Sequence, residues 1–231
     1  MLKKKLVKIL VFACVIALSF GVFAACTGEV DAEVLNNISE LTVNVYTAKT
    51  EKVEITLVTG ERETPYCVNG ESGPRAAYTI ITVRPFEMAD DPVPYDYVIK
   101  AGKNEYRGRL NLHPFGVSYT DTVNKKAEGA VSVSLTGGGY SEEVALSPQF
   151  TDKMINWEDA LKTGISSVKN EVQSLYSGKK LMGEVYVRFT NDPLNANSEY
   201  FWYVAVVGNN GKTYGALINP LSGEVIATKK I

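Results

Sequence analysis

The sequence predicts a mainly β chain with an α+β end: a β-sandwich, followed by one helix packed on an antiparallel sheet. Three observations predict it. From Leu41 to about Gln149, apolar and polar residues alternate in short runs divided by Gly, Pro, Asp and Asn, which is the period-two pattern of half-buried strands. Between Asn156 and Ser177 the period becomes three and four, the spacing of one helix face. From Gly183 to the C-terminus the strand pattern returns, with Asn210-Gly211 and Pro220-Leu221-Ser222-Gly223 as turn signals.

The first 25 residues stand apart. Lys3, Lys4, Lys5 and Lys8 precede a largely apolar run, Ile9 to Phe23, and Ala24-Ala25-Cys26 follows. The run is short for a spanning helix, which needs about 20 residues, and its flanks are those of a secretory signal. Small residues before a Cys resemble the bacterial lipobox, in which Cys26 becomes the lipidated first residue of the mature chain. Phe23 departs from the usual Leu or Val three residues upstream, and an ordinary signal peptide cleaved near Ala25 is the alternative. Either way the chain faces the extracytoplasmic side, and lipidation at Cys26 would hold it to the membrane. Removing residues 1–25 takes away four Lys and no acid and moves the formal charge from −2 to −6. That argues against a nucleic-acid protein, which needs a basic stripe. Cys67 is then the one cysteine besides Cys26, so there is no disulfide framework and no thiolate metal cluster.

Residues 26–40 open with a small, polar, acidic run and read as a tether. Residues 41–149 read as the sandwich. Strands fall at 41–47, 52–59, 77–84, 95–101, 105–112, 130–137 and, more weakly, 142–147, and about seven strands in this length fit an immunoglobulin-like architecture. Gly60 to Arg75 is turn-rich and reads as a loop. Residues 150–231 read as the α+β domain. Asn156 is the helix N-cap, with Asp159 three residues on. Leu161, Ile165, Val168, Val172 and Leu175 make the apolar stripe, which Ser177-Gly178 ends. Strands follow at 183–190, 199–207, 213–219 and 224–230, separated by a loop at 191–198.

The helix start Trp157-Glu158-Asp159-Ala160-Leu161, the strand Tyr203-Val204-Ala205-Val206-Val207, the hairpin Asn210-Gly211-Lys212 and the turn Asn219-Pro220-Leu221-Ser222-Gly223-Glu224-Val225 together resemble the PepSY domain family. Asn219 stands where the family usually has Asp. The resemblance covers about residues 150–231 and implies a small α+β domain. PepSY domains occur in propeptides of secreted metallopeptidases and in cell-envelope proteins, where they are thought to modulate peptidases. The family brings no catalytic residues. The resemblance therefore implies a non-enzymatic binding or regulatory module with an envelope protein, a peptidase among them, as partner.

The chemistry-bearing residues are few. His113 is the only histidine, so any Ser-His-Asp or Cys-His arrangement must use it; it sits before Pro114 at a strand exit and reads as a loop-edge imidazole. One His and one free Cys rule out zinc, which takes three or four N or S ligands. Cys67 reads as an inert, half-buried thiol. Asp90, Asp91 and Asp96, and Asp192, Asn195, Asn197 and Glu199, are oxygen-rich stretches without EF-hand spacing, and read as solvated turns. Gly137-Gly138-Gly139 reads as a hairpin tip. No catalytic residue, metal site or cofactor is expected. The strand Tyr200-Phe201-Trp202-Tyr203 poses the functional question. Tyr200 and Trp202 point one way, Phe201 and Tyr203 the other, and one helix covers one face. The second face is covered by the chain's own first domain or loop 191–198, covered by a partner, or left as an exposed patch. An alternative function is glycan or cell-wall binding by the sandwich, with Tyr78, Tyr95, Tyr97 and Tyr106 as stacking faces.

Overall fold

Strand β1 (Ile38–Lys49) joins the two halves of the molecule. In the computed structural model, which describes residues 30–88, 93–192 and 199–231, one edge of β1 pairs along its length with antiparallel β2 (Val53–Glu63). Its other edge is divided. Residues Ile38 to Thr42 pair in parallel with β12 (Gly183–Thr190), while Tyr46 and Thr47 pair antiparallel with β9 (Tyr140–Pro148). The division coincides with a register shift between Thr42 and Asn44, a bulge that bends and twists the strand so that each half meets a different neighbour.

On one side the sheet curls into a barrel. It runs from β2 to β3 (Arg75–Pro85), β7 (Tyr119–Val123) and β6 (Asn111–Leu112). β5 (Asn104–Arg109) leads into β6 through Leu110 and pairs with β4 (Asp96–Ala101). β4 pairs with β8 (Val131–Gly137), and β8 with β9, which returns to β1. Ile55, Leu57, Ile81, Val83, Ile99, Leu110, Val133 and Leu135 fill the interior with five tyrosines, Tyr46, Tyr95, Tyr97, Tyr119 and Tyr140. Inward side chains come from alternate residues of each strand, as the period of two requires.

On the other side the sheet continues from β12 to β13 (Phe201–Gly208), β14 (Thr213–Ile218) and β15 (Val225–Lys230), all antiparallel. Two helices follow the barrel in the chain: α2 (Trp157–Ser167) and α3 (Lys169–Gln173), and a short α1 (Ala32–Asn36) precedes β1. A small hairpin of β10 (Tyr176–Ser177) and β11 (Lys180–Leu181) links α3 to β12.

The expected fold, an immunoglobulin-like sandwich followed by a separate α+β domain of one helix on its own sheet, is corrected. Thirteen strands form one continuous sheet, its barrel part nearly closed, and Asp31–Ile231 is a single compact unit. Alternation fixes each strand's faces but not its neighbours, and it is the double pairing of β1 that fuses the halves. The expected single helix is also broken. Ser167 Oγ donates to the Gly164 carbonyl at 2.7 Å, and Val168 N turns back to Ile165 O at 3.3 Å, so α2 ends at a non-helical Val168. β7 was unforeseen, because Tyr119-Thr120-Asp121-Thr122-Val123 is too polar to announce a strand. Residues 31–40, read as tether, belong to the fold: Asp31 caps α1, and Val34 is 1% exposed. The Asn210-Gly211 hairpin forms with a longer loop than a type I′ turn. Only Gly211 takes a positive φ, the Gly208 amide donates to the Lys212 carbonyl, and Asn210 Oδ1 accepts from Lys212 N.

Candidate functional site

The two faces of the β12–β14 sheet are closed by different means. On one, α2 packs against β13 so closely that a Cβ added at Gly164 would stand 2.6 Å from Val204 Cβ. Trp202, 1% exposed, lies on this face and donates from Nε1 to the Ile155 carbonyl at 3.1 Å. Phe189, paired with it across the strands, packs against Trp202 and Phe150, and Tyr200 stacks on Phe189 at 5.1 Å. The candidate face is therefore divided: Trp202 is interior, Tyr200 is half-buried against Phe189, and Phe201 and Tyr203 are half-buried on the opposite face. Burial raises the pKa of both Tyr200 and Tyr203.

That opposite face carries Glu184, Tyr186 and Arg188 of β12, next to Glu40 and Thr42 of β1. The segment from Thr64 to Pro74, between β2 and β3, lies across it as a strap. Three carboxylates hold the strap. Glu63 accepts from Cys67 N at 3.2 Å and Gly73 N at 2.9 Å; Glu184 accepts from Gly70 N at 2.9 Å. Glu40 accepts from the Tyr66 hydroxyl at 3.1 Å, the Tyr78 hydroxyl at 2.9 Å and Arg188 Nε at 2.7 Å. Gly70 has φ +81, and a Cβ there would lie 2.5 Å from Asn209 Cα, so the strap touches the β13–β14 loop through a position only glycine fits. Arg62 stacks over the Tyr66 and Tyr78 rings. Burial, then the Glu40 charge, pushes Tyr66 up to about 12 and Tyr78 well above the usual phenol range.

A third feature lies at the far end of the barrel. Leu112 pairs with Tyr119, Tyr119 with Val83, and Val53 with Pro85, so the β6–β7 turn and the segment after β3 share one rim. Leu110 N donates to Tyr95 O, which brings the segment before β4 to the same rim. Phe86, Val93, Leu112, Phe115 and Val117 are all solvent-exposed there, Phe115 to 82%. This is the end where β1 finishes: Lys49 pairs with Glu54, whereas Glu40, near the start of β1, pairs with Arg62 at the opposite end of β2. The sequence did carry a signal for it. Two large apolar residues, Phe115 and Val117, flank a glycine in a tight turn, where a core cannot reach them.

The remaining candidates scatter. His113 is at this rim; its Nδ1 accepts from Phe115 N at 3.3 Å and its ring leans on Phe115. Cys67 is exposed rather than half-buried. Asp96 pairs with Arg109 at 2.7 Å, and Glu199 is exposed. Cys26, Asp90, Asp91, Asn195 and Asn197 lie outside the described residues. Gly138 and Gly139 form the tip of the β8–β9 hairpin, as expected. Tyr78, Tyr95 and Tyr97 are buried and Tyr106 half-buried, its hydroxyl on Lys126 O, so these rings are not offered to a glycan. No group of three or more His, Cys, Asp or Glu that could hold a metal occurs among the described residues. Compared with known proteins, the chain matches no family model, no curated protein and no solved structure.

Proposed function

We propose that this chain is a lipid-anchored, extracytoplasmic, non-enzymatic binding module that captures an envelope protein through the apolar rim of its barrel. The observation that carries the reading is the gathering of Phe86, Val93, Leu112, Phe115 and Val117 in solvent at one end. A patch of large apolar side chains on a protein surface costs solubility and marks a contact. The rim also lies at the end of the barrel opposite the start of β1. The lone histidine at the rim spends Nδ1 on the neighbouring Phe115 amide, which fits a contact surface better than a proton-transfer site. The resemblance of residues 150–231 to PepSY domains no longer points to a peptidase as partner, since those residues share one sheet with the barrel.

The test uses the full chain in its own membrane. A photoreactive side chain at Val117 is expected to give a discrete adduct, and Phe115→Asp in the same chain to abolish it. Phe115→Asp should leave the stability within about 0.5 kcal/mol, as for other surface changes. No adduct, or an adduct indifferent to Phe115→Asp, overturns the rim as the binding surface. Cys26→Ala should shift the chain from the membrane to the soluble extracytoplasmic fraction; retention would overturn the anchor.

A further inference from the structure

The chain contains two Asn-Gly steps of nearly the same local geometry, Asn69-Gly70 in the strap and Asn210-Gly211 in the β13–β14 loop. Both asparagines are exposed. Each folds its side chain over the peptide that follows: Asn69 Oδ1 accepts from Glu71 N at 2.9 Å, and Asn210 Oδ1 from Lys212 N at 3.0 Å. The two glycines have φ +81 and +78. What differs is the hold on the glycine amide. Gly70 is buried, and it donates its N–H at 2.9 Å to the carboxylate of Glu184, which is 0% exposed. Gly211 is exposed, and it donates at 2.9 Å to the Gly208 carbonyl of its own small loop. A Cβ at Gly70 would strike the Asn209 backbone, whereas one at Gly211 would meet nothing within 4 Å.

We propose that Asn210 is a site of spontaneous deamidation, through a cyclic imide closed with the Gly211 amide, and that Asn69, in the same dipeptide, is shielded by the strap. The Gly211 amide proton goes to water or hydroxide, and the nitrogen attacks Asn210 Cγ. A bond forms between them, the Cγ–Nδ2 bond breaks, and the side-chain nitrogen leaves as ammonia. The Lys212 N–H, already on Oδ1, stabilises the negative charge that this oxygen gains. Water then opens the ring. Opening at Cγ gives aspartate; opening at the main-chain carbonyl gives isoaspartate, with the backbone rerouted through Cβ and Cγ. Water is the co-reactant, and nothing is oxidised or reduced. Glycine favours the step because no Cβ crowds the attacking nitrogen. At Asn69 the carbonyl is polarised in the same way, but freeing the Gly70 amide would take a donor from a buried carboxylate.

The product reaches the strap. Asn209 N donates to the Met182 carbonyl at 3.1 Å, and the Asn209 backbone is the surface against which Gly70 fits. Isoaspartate at the next residue lengthens the main chain of this loop by a methylene. Ageing at Asn210 should therefore loosen the strap from outside it.

The test is incubation of the folded full chain at about pH 8 and about 37 °C, followed by peptide mass spectrometry. The peptide carrying Asn210 should gain about 1 Da, with isoaspartate among its products. The gain should be at least about tenfold faster than in the peptide carrying Asn69. In urea, with the strap undone, the two rates should agree within about threefold. Gly211→Ala should slow the gain at Asn210 by at least about tenfold and leave that at Asn69 unchanged. In the isoaspartyl chain, hydrogen exchange at the Gly70 amide should quicken; Asn210→Asp, which has the charge on an ordinary main chain, should leave it as it was. Equal rates at the two asparagines in the folded chain overturn the inference. So does no gain at Asn210 over the time in which the unfolded chain converts. Unchanged Gly70 exchange in the isoaspartyl chain overturns the link to the strap.

Discussion

The two faces of the β12–β14 sheet are the same strands closed in opposite ways. Under α2 the contact is apolar and aromatic: Val204 against Gly164, and Trp202 and Phe189 with Phe150. Under the strap it is polar and charged: Glu63 and Glu184 on backbone amides, and Glu40 on Arg188 and two tyrosines. A helix satisfies its own backbone and can offer a purely apolar stripe. A strap of eleven residues, Thr64 to Pro74, without regular structure must find partners for its amides, and the strand side chains supply them. The first face should therefore hold most of the stability, and the second should answer to pH and backbone strain.

The largest expected effect breaks the helix face. Trp202→Ala removes the biggest fully buried side chain and its bond to Ile155 O, and should cost about 3–5 kcal/mol in urea unfolding. A cost under 1 kcal/mol would mean that α2 does not close the sheet in this way. A smaller effect is expected on the strap. Gly70→Ala forces a Cβ into the Asn209 backbone at a positive φ and should cost about 1–3 kcal/mol. Hydrogen exchange should then quicken at the Gly70 and Gly73 amides while β13 stays protected. Equal loss of protection at Val204 would show that the faces are coupled rather than separate.

The helix face was largely legible in the sequence, and the strap face was not. The Asn156 cap, Leu161, Val168 and Val172 of the stripe, and the alternation of Val185, Val187 and Phe189 are local patterns, and the structure buries these apolar side chains as they imply, although the helix that carries the stripe breaks at Val168. Glu184, Tyr186 and Arg188 alternate with them and read as the solvent side. They are covered because a turn-rich segment more than a hundred residues earlier in the chain lies over them, a contact that no periodicity encodes. Glycine at position 70 was visible, but not the Asn209 backbone that demands it. The same limit hid the neighbours of β1, whose parallel partner β12 comes from the far end of the chain.

The smallest expected effect sharpens the comparison through pH. A tyrosine whose pKa is higher folded than unfolded contributes stability that is complete below the unfolded value, about 10, and is lost as pH rises through the folded value. Tyr66, pushed up to about 12 by burial and by Glu40, places that loss between pH 10 and 12, and Tyr78, raised further, extends it. Both serve the strap face, through Glu40. Unfolding midpoints should thus fall steadily from pH 10 to 12, and exchange at the strap amides should rise before that of β13. Tyr66→Phe removes one of the ionising groups of this face, where Tyr78, Tyr186 and Tyr203 are also raised, and leaves its ring under Arg62, so the fall should become shallower without vanishing. An unchanged slope in Tyr66→Phe would remove this tyrosine from the hold on the strap and leave Tyr78 and the carboxylates to supply it.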